Sequence, residues 1–300
     1  MMKQILIVTG WTLLMIACSS TGRPLNDVAQ VDVQDFNGYW YQGKAELTSY
    51  RLEQARYGEI HSGTAVMVFV TEDFSQSKQV KLDYPQQAGD DAVKVLKLNA
   101  LRKFNTGIYD YSTMQSTFTP VNREEHPKTL KVTSSSQEWC GQTFTQLNLM
   151  DDGYKAQMYS YFESEGDEIK NLPKVWLENE LWNLIRIDPS SLPVGKIEVI
   201  PDLVFQRFMH VELKASAAEA SLANDGEFTV YTVLYPEYQR TLKITFGSKF
   251  PHAIDKWEET QQRGSKTLTT KATKMKSMMS AYWGQNSVSD GYLRTELGLD

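Results

Sequence analysis

Phe144-Thr145-Gln146-Leu147-Asn148-Leu149-Met150-Asp151-Asp152-Gly153-Tyr154-Lys155-Ala156-Gln157-Met158-Tyr159-Ser160-Tyr161-Phe162 decides how the chain is read. Leu147 and Leu149 alternate with polar residues, as one face of a half-buried strand does. Asp151-Asp152-Gly153 then supplies hairpin turn chemistry. The run from Tyr154 to Phe162 is rich in aromatics and returns from the turn as a second strand.

The same pattern spreads in both directions. Upstream, Thr64-Ala65-Val66-Met67-Val68-Phe69-Val70-Thr71 is apolar without interruption, which predicts a strand buried on both faces. Residues 44–52, 92–99 and 129–136 alternate well enough for strands, and 80–83 for a short one. Residues 104–118 carry aromatics and threonines, with Gly107 marking a turn or bulge. Phe36-Asn37-Gly38-Tyr39-Trp40-Tyr41 reads as a turn followed by a strand. Downstream, Glu227–Tyr235 and Arg240–Phe246 form a second hairpin around Pro236–Gln239, and residues 195–200 and 266–276 add further strands. Tyr282-Trp283-Gly284 ends the organised part.

Helices are few. Leu177, Leu181 and Leu184 fall at i, i+4 and i+7, and Asp188-Pro189 stops the run, so 177–186 is predicted helical. Residues 203–213 suit either a strand or an amphipathic helix, and their density of Phe and Val favours the strand. The alanines of 212–222 favour helix by propensity. The expected fold is mainly β: large curved antiparallel sheets, open-barrel or sandwich-like, with one or two short helices. Gly43-Lys44-Ala45-Glu46-Leu47 faintly repeats in Gly195-Lys196-Ile197-Glu198-Val199, which suggests two similar halves meeting near 163–192.

Hydrophobic residues make up 41% of the chain and charged residues 23%, ordinary for a globular body. The net charge of -6, from 37 acidic against 31 basic residues, argues against nucleic acid as a partner. The front of the chain differs from the rest. Met1-Met2-Lys3-Gln4 is a short positive opening, Ile5 to Ile16 is mostly apolar, and Ala17-Cys18 follows at once. These are the parts of a secretory signal, residues 1–17, with cysteine at the cut.

Leu14-Met15-Ile16-Ala17-Cys18 resembles the lipobox of bacterial lipoproteins. That resemblance implies lipidation of Cys18, cleavage before it, and a stable membrane anchor through several acyl chains. The residue after the cysteine is Ser19 rather than Asp, so the resemblance implies an outer-membrane lipoprotein facing the periplasm. Residues 18–35 are then a lipidated flexible tether, and 36–300 the periplasmic body. Cys140 is left without an intramolecular disulfide partner. In an oxidising envelope a buried Cys140 on a strand is expected.

Motifs that carry chemistry are sparse. The four histidines, His61, His126, His210 and His252, are too widely spaced for sequence to pair one with Cys140 as a nucleophile. There is no His-Glu-x-x-His, no paired-cysteine knuckle, no calcium loop, no phosphate loop and no Gly-x-Ser-x-Gly. No catalytic residue, metal or cofactor is therefore expected. The acidic run Glu163, Glu165, Asp167, Glu168 reads as a solvated loop. Aromatic concentrations offer a candidate ligand groove: Tyr39, Trp40, Tyr41, Tyr109, Tyr111, Tyr159 and Tyr161. Rings along strands suit a lipid, a glycan or a polypeptide.

The layout is similar to periplasmic lipoproteins whose curved sheets hold lipids or other lipoproteins. The leading expectation is a noncatalytic envelope lipoprotein that binds a hydrophobic, glycan or protein ligand in a β-sheet groove or assists envelope assembly. A hydrolase of glycans or lipids, built from distant carboxylates, and a structural or adhesive surface component are the alternatives.

Overall fold

In the computed structural model, which describes residues 33–299, one open sheet of fifteen strands organises the described residues. A short helix, α1 (Val33–Trp40), opens it. The first half is a meander of β1 (Ala45–Arg56), β2 (Glu59–Ser75), β3 (Ala92–Thr106), β4 (Tyr109–Pro120), β5 (Lys131–Glu138), β6 (Gly141–Leu149), β7 (Gly153–Ser160) and β8 (Glu168–Pro173). The second half holds β9 (Trp176–Leu177), α2 (Glu178–Ile187), β10 (Gly195–Ile200), α3 (Leu203–Met209), β11 (Ser216–Asp225), β12 (Phe228–Tyr235), β13 (Arg240–Gly247), β14 (Ile254–Arg263) and β15 (Lys266–Ser280). A last helix, α4, spans Tyr292–Glu296.

The strands lie in the order 8-7-6-5-4-3-2-1-15-14-13-12-11-10-9. The two halves join where β1 pairs antiparallel with β15. Every pairing is antiparallel except β9 with β10. No helix among the described residues is long and apolar enough to cross a membrane.

The sheet curls around α2 and α3. Asn183 on α2 donates to the carbonyls of Leu96 on β3 and Thr117 on β4. Trp182, on the same helix, meets Trp257 of β14 edge to face at 5.5 Å. One helix thus touches strands far apart in the sheet. The ends of the sheet approach each other through side chains: Leu147, Tyr154 and Leu172 from one end pack with Leu177 and Ile200 from the other. Burial of this kind is what holds a large open sheet in a curve.

Period two explains the strands. Ala65, Met67 and Phe69 of β2 enter the main core, while Val68 and Val70 enter a separate cluster with Ala45, Leu47 and Leu297. Residues 64–71 are therefore covered on both faces over their centre, as the unbroken apolar run implied. The hairpin of 144–162 also forms, with Leu147 opposite Ala156 and Leu149 opposite Tyr154.

Several expectations are corrected. Residues 36–40 belong to a helix, not a turn and strand: Phe36 and Trp40 stand one turn apart and both insert into the core. That helix takes in the last residues of the 18–35 stretch, and the rest of that stretch lies outside the described residues, with residues 1–17 and Cys18. Residues 203–209 form α3 rather than a strand, because Asp202 caps it by accepting from the Phe205 amide at 2.9 Å. The alanine-rich 216–225 is strand β11. Its buried Ser216, Ala218 and Ala220 alternate with exposed Ala217, Glu219 and Ser221, and pairing with β10 and β12 overrides propensity. Residues 80–83 contribute only an isolated bridge from Lys81 to Phe74. The organised part continues past Gly284 into α4, and Leu297 packs against the outer face of the sheet. Cys140 is exposed in the β5–β6 turn instead of buried on a strand.

Candidate binding cavity

Two of the sheet's hairpins and helix α3 enclose a cavity of about 150 Å³ at one rim. The β1–β2 hairpin contributes Gln54, Arg56 and Tyr57, and the β14–β15 hairpin contributes Glu259, Lys266 and Leu268. Helix α3 lays Val204, Phe205, Phe208 and Met209 along the third side, and Arg102 of β3 stands at the back.

Local rules place each part. Tyr57 and Gly58 form the two-residue turn, with φ of 53° and 82°. Positive φ at both positions is the twist-matched hairpin turn, easy for glycine and unusual for tyrosine. It sets Tyr57 at the mouth, where its hydroxyl lies 2.7 Å from that of Tyr111. Arg102 follows Leu96, Leu98 and Ala100 on the inward face of β3, in step with the pleat. Its cross-strand neighbours are Ala65 and Thr113, small residues that leave room for a guanidinium.

The charges are unevenly answered. Among the described residues Arg56, Arg186 and Arg240 are buried arginines. Arg186 grips Glu46 with bonds of 2.6 and 2.5 Å. Arg240 grips Glu178 with two bonds of 2.6 Å and also donates to Glu259 at 2.6 Å. Burial alone would raise the Glu259 carboxyl, but Arg240 and Arg102 beside it hold it below its usual range. Among the described residues Arg56, only 6% exposed, has no carboxylate partner. It donates to the Phe208 carbonyl and to the hydroxyls of Tyr57 and Tyr111, and it lies over the rings of Tyr57, Tyr111 and Phe208. Its Nε has no hydrogen-bond partner among those residues. Arg102 makes a single 3.4 Å hydrogen bond among them, to Gln54, and no salt bridge.

Behind the cavity, Arg102 and Glu259 also line a smaller chamber of about 20 Å³. Buried Trp257 and Asn179 line that chamber, and the indole nitrogen of the first and the side-chain oxygen of the second have no hydrogen-bond partner among the described residues. A larger groove, about 480 Å³, lies on the outer face. Leu47, Val66, Val68 and Leu101 floor it, and Leu293 and Leu297 of the C-terminal segment wall it.

The seven aromatic residues expected to share a groove are dispersed. Tyr39, Trp40 and Tyr41 belong to α1 or follow it, near the end of β2 where Thr71 donates to the Trp40 carbonyl. Tyr39 donates to Glu46, and Trp40 is core. Tyr109 and Tyr111 lie at the other end of the strands, where Tyr111 stacks on Phe104 and contacts Arg56. Tyr159 and Tyr161 are exposed on and beyond β7. Tyr111 and Tyr109 among them abut the cavity's lining, both at Tyr57. Arg56 and Arg102 escaped sequence reasoning because they converge from different strands. The Tyr57-Gly58 turn and the Asp202 cap of α3 were the local signals available.

Among the described residues no group of three His, Cys, Asp or Glu side chains is placed to hold a metal. No protein-family model matches the chain, and no curated protein matches it. Among solved structures it is similar to the β-barrel-like protein of domain of unknown function DUF1849 from Brucella abortus. That likeness has a TM-score of 0.44 at 8% identity and covers 79% of this chain and 97% of that chain.

Proposed function

We propose that the protein is a noncatalytic envelope lipoprotein that binds a small, largely apolar ligand in the rim cavity. The observation that carries this reading is the cavity itself. One wall is apolar side chains of a capped helix, and the polar groups are few and grouped, as in ligand sites generally. Its volume is of the order that holds a six-carbon ring. Exposed Ile108 and Trp139 on neighbouring hairpin turns give an apolar approach to the mouth.

The carboxylates speak against a hydrolase. Glu178 and Glu259 are both committed to Arg240, and Asp202 accepts from Gln115, Asn179 and the Phe205 amide. A general acid needs a proton to give near neutral pH, and Glu259, held below its usual range by Arg240 and Arg102, has none. The membrane anchor at Cys18 rests on the lipobox resemblance.

The test is extraction of protein purified gently from its native cells, followed by mass spectrometry. Wild type should release a small molecule in stoichiometric amount, and Leu268→Trp, which fills the cavity, should not. Equal recovery from both would contradict the cavity reading.

A further inference from the structure

We infer that the rim cavity selects a ligand with an anionic head, a carboxylate on a short apolar body, and that Arg56 and Arg102 hold that head. The inference rests on the binding role proposed above and adds the chemistry of recognition.

Buried charge is normally paired. The other two buried arginines obey that rule with bidentate carboxylates. Arg56 does not. Its partners are a carbonyl, two phenol hydroxyls and three ring faces, which orient the guanidinium but carry no formal negative charge. A guanidinium that lines a cavity and has no carboxylate partner among the described residues matches an acceptor-only group such as a carboxylate, whose charge would answer it.

The rest of the lining points the same way. Arg56, Arg102 and Lys266 are its cations, and Glu259 is its only acid. Glu259 is already bound to Arg240, so it does not cancel Arg56 at the mouth. This cationic concentration sits in a chain whose net charge is -6. Beside the cations, Val204, Phe205 and Met209 supply apolar lining. A cavity that offers both cations and hydrocarbon is complementary to a short fatty acid, and neither a neutral alcohol nor a sugar uses both.

Calorimetric titration with hexanoate and with hexan-1-ol tests this directly. Hexanoate should bind at least tenfold more tightly than hexan-1-ol. Arg102→Met should bring hexanoate affinity down toward that of the alcohol. Arg56→Lys, which keeps the charge and loses the fork, should retain part of the preference that Arg56→Gln loses. Circular dichroism identifies any variant that fails to fold, and Arg102→Met, at the half-exposed back of the cavity, decides the matter if Arg56 variants do. Equal affinities for acid and alcohol, or undiminished hexanoate binding to Arg102→Met and Arg56→Gln, would overturn the anionic head and leave the cavity standing. Binding of neither compound would overturn the cavity reading as well.

Discussion

Arg240 on β13 holds Glu178, the first residue of α2, through two 2.6 Å hydrogen bonds, with both side chains almost wholly buried. The pair ties the inner helix to the second half of the sheet. At the other end of the same helix Arg186 ties it to Glu46 on β1, in the first half. Two buried ion pairs thus fix α2 across the curve, and the cavity wall built on neighbouring α3 depends on that placement.

Breaking one partner of a buried pair strands the other charge, at a cost of about 3–5 kcal/mol. Arg240→Met strands Glu178 and Glu259 together and should lower unfolding stability by at least that much in urea titrations. Arg240→Met combined with Glu178→Leu should recover part of the loss, because one stranded carboxylate is removed. A loss below about 1 kcal/mol for the single variant would contradict the tie.

Acid should weaken the fold in two steps. Burial holds the His252 imidazole below its ordinary value, so the unfolded chain takes up that proton first. Its contribution is present above about pH 6.5 and is lost as pH falls below it. For Glu46 and Glu259, burial opposes ionisation, but Arg186 and Arg240 respectively outweigh it and hold both carboxyls low. Their contribution is present above the unfolded value, about 4.3, and is lost as pH falls through the depressed folded values. His252→Asn, suited to the positive φ of 55° at this position, should remove the loss that begins as pH falls below about 6.5 and keep the carboxylate loss at lower pH. Stability that rises on acidification would contradict both assignments.

Much of the sheet was legible because a strand with one dry face must alternate, and its turns need particular residues. The 144–162 hairpin and the doubly covered 64–71 strand follow from those rules alone. The failures share a cause. In 216–225 the alanines favour helix locally, yet ladders on both sides decide the outcome. Residues 36–40 carry Asn37-Gly38, a turn pair, but Phe36 and Trp40 fit the core only at helical spacing. For α3 the cap at Asp202 was present in the sequence, and the density of β-formers obscured it. The cavity was illegible for another reason: Arg56, Arg102, Phe208 and Lys266 share no local pattern and meet only when β1 and β15 close the middle of the sheet.

Gly63 on β2 lies opposite Phe104 on β3, and a Cβ there would come within 2.3 Å of the Lys103 carbonyl oxygen and 2.7 Å of the Phe104 Cβ. The contact leaves no slack in backbone. Gly63→Ala should cost about 1–3 kcal/mol by overpacking and should disturb the Phe104–Tyr111 stack beside Arg56. Wild-type stability in denaturant titration would show that the strands separate freely.

The two cysteines should behave oppositely. Cys140 is exposed, and the neighbouring Glu138 carboxylate pushes its thiol up. In a Cys18→Ala chain it should react with maleimide without denaturant, and faster as pH rises, since the thiolate is the nucleophile. A requirement for urea would place it inside. The same Cys18→Ala change should abolish metabolic labelling with palmitate, and persistent labelling would contradict the lipid anchor.

The most direct measurement of the central claim is a backbone amide NMR titration of the folded body with hexanoate. Shifts should concentrate at Gln54–Gly58, Arg102, Val204–Met209 and residues 266–270, the three sides and back of the rim cavity. Shifts confined to Leu293–Leu299 and the outer face around Val66 and Val68, or no shifts at all, would contradict it.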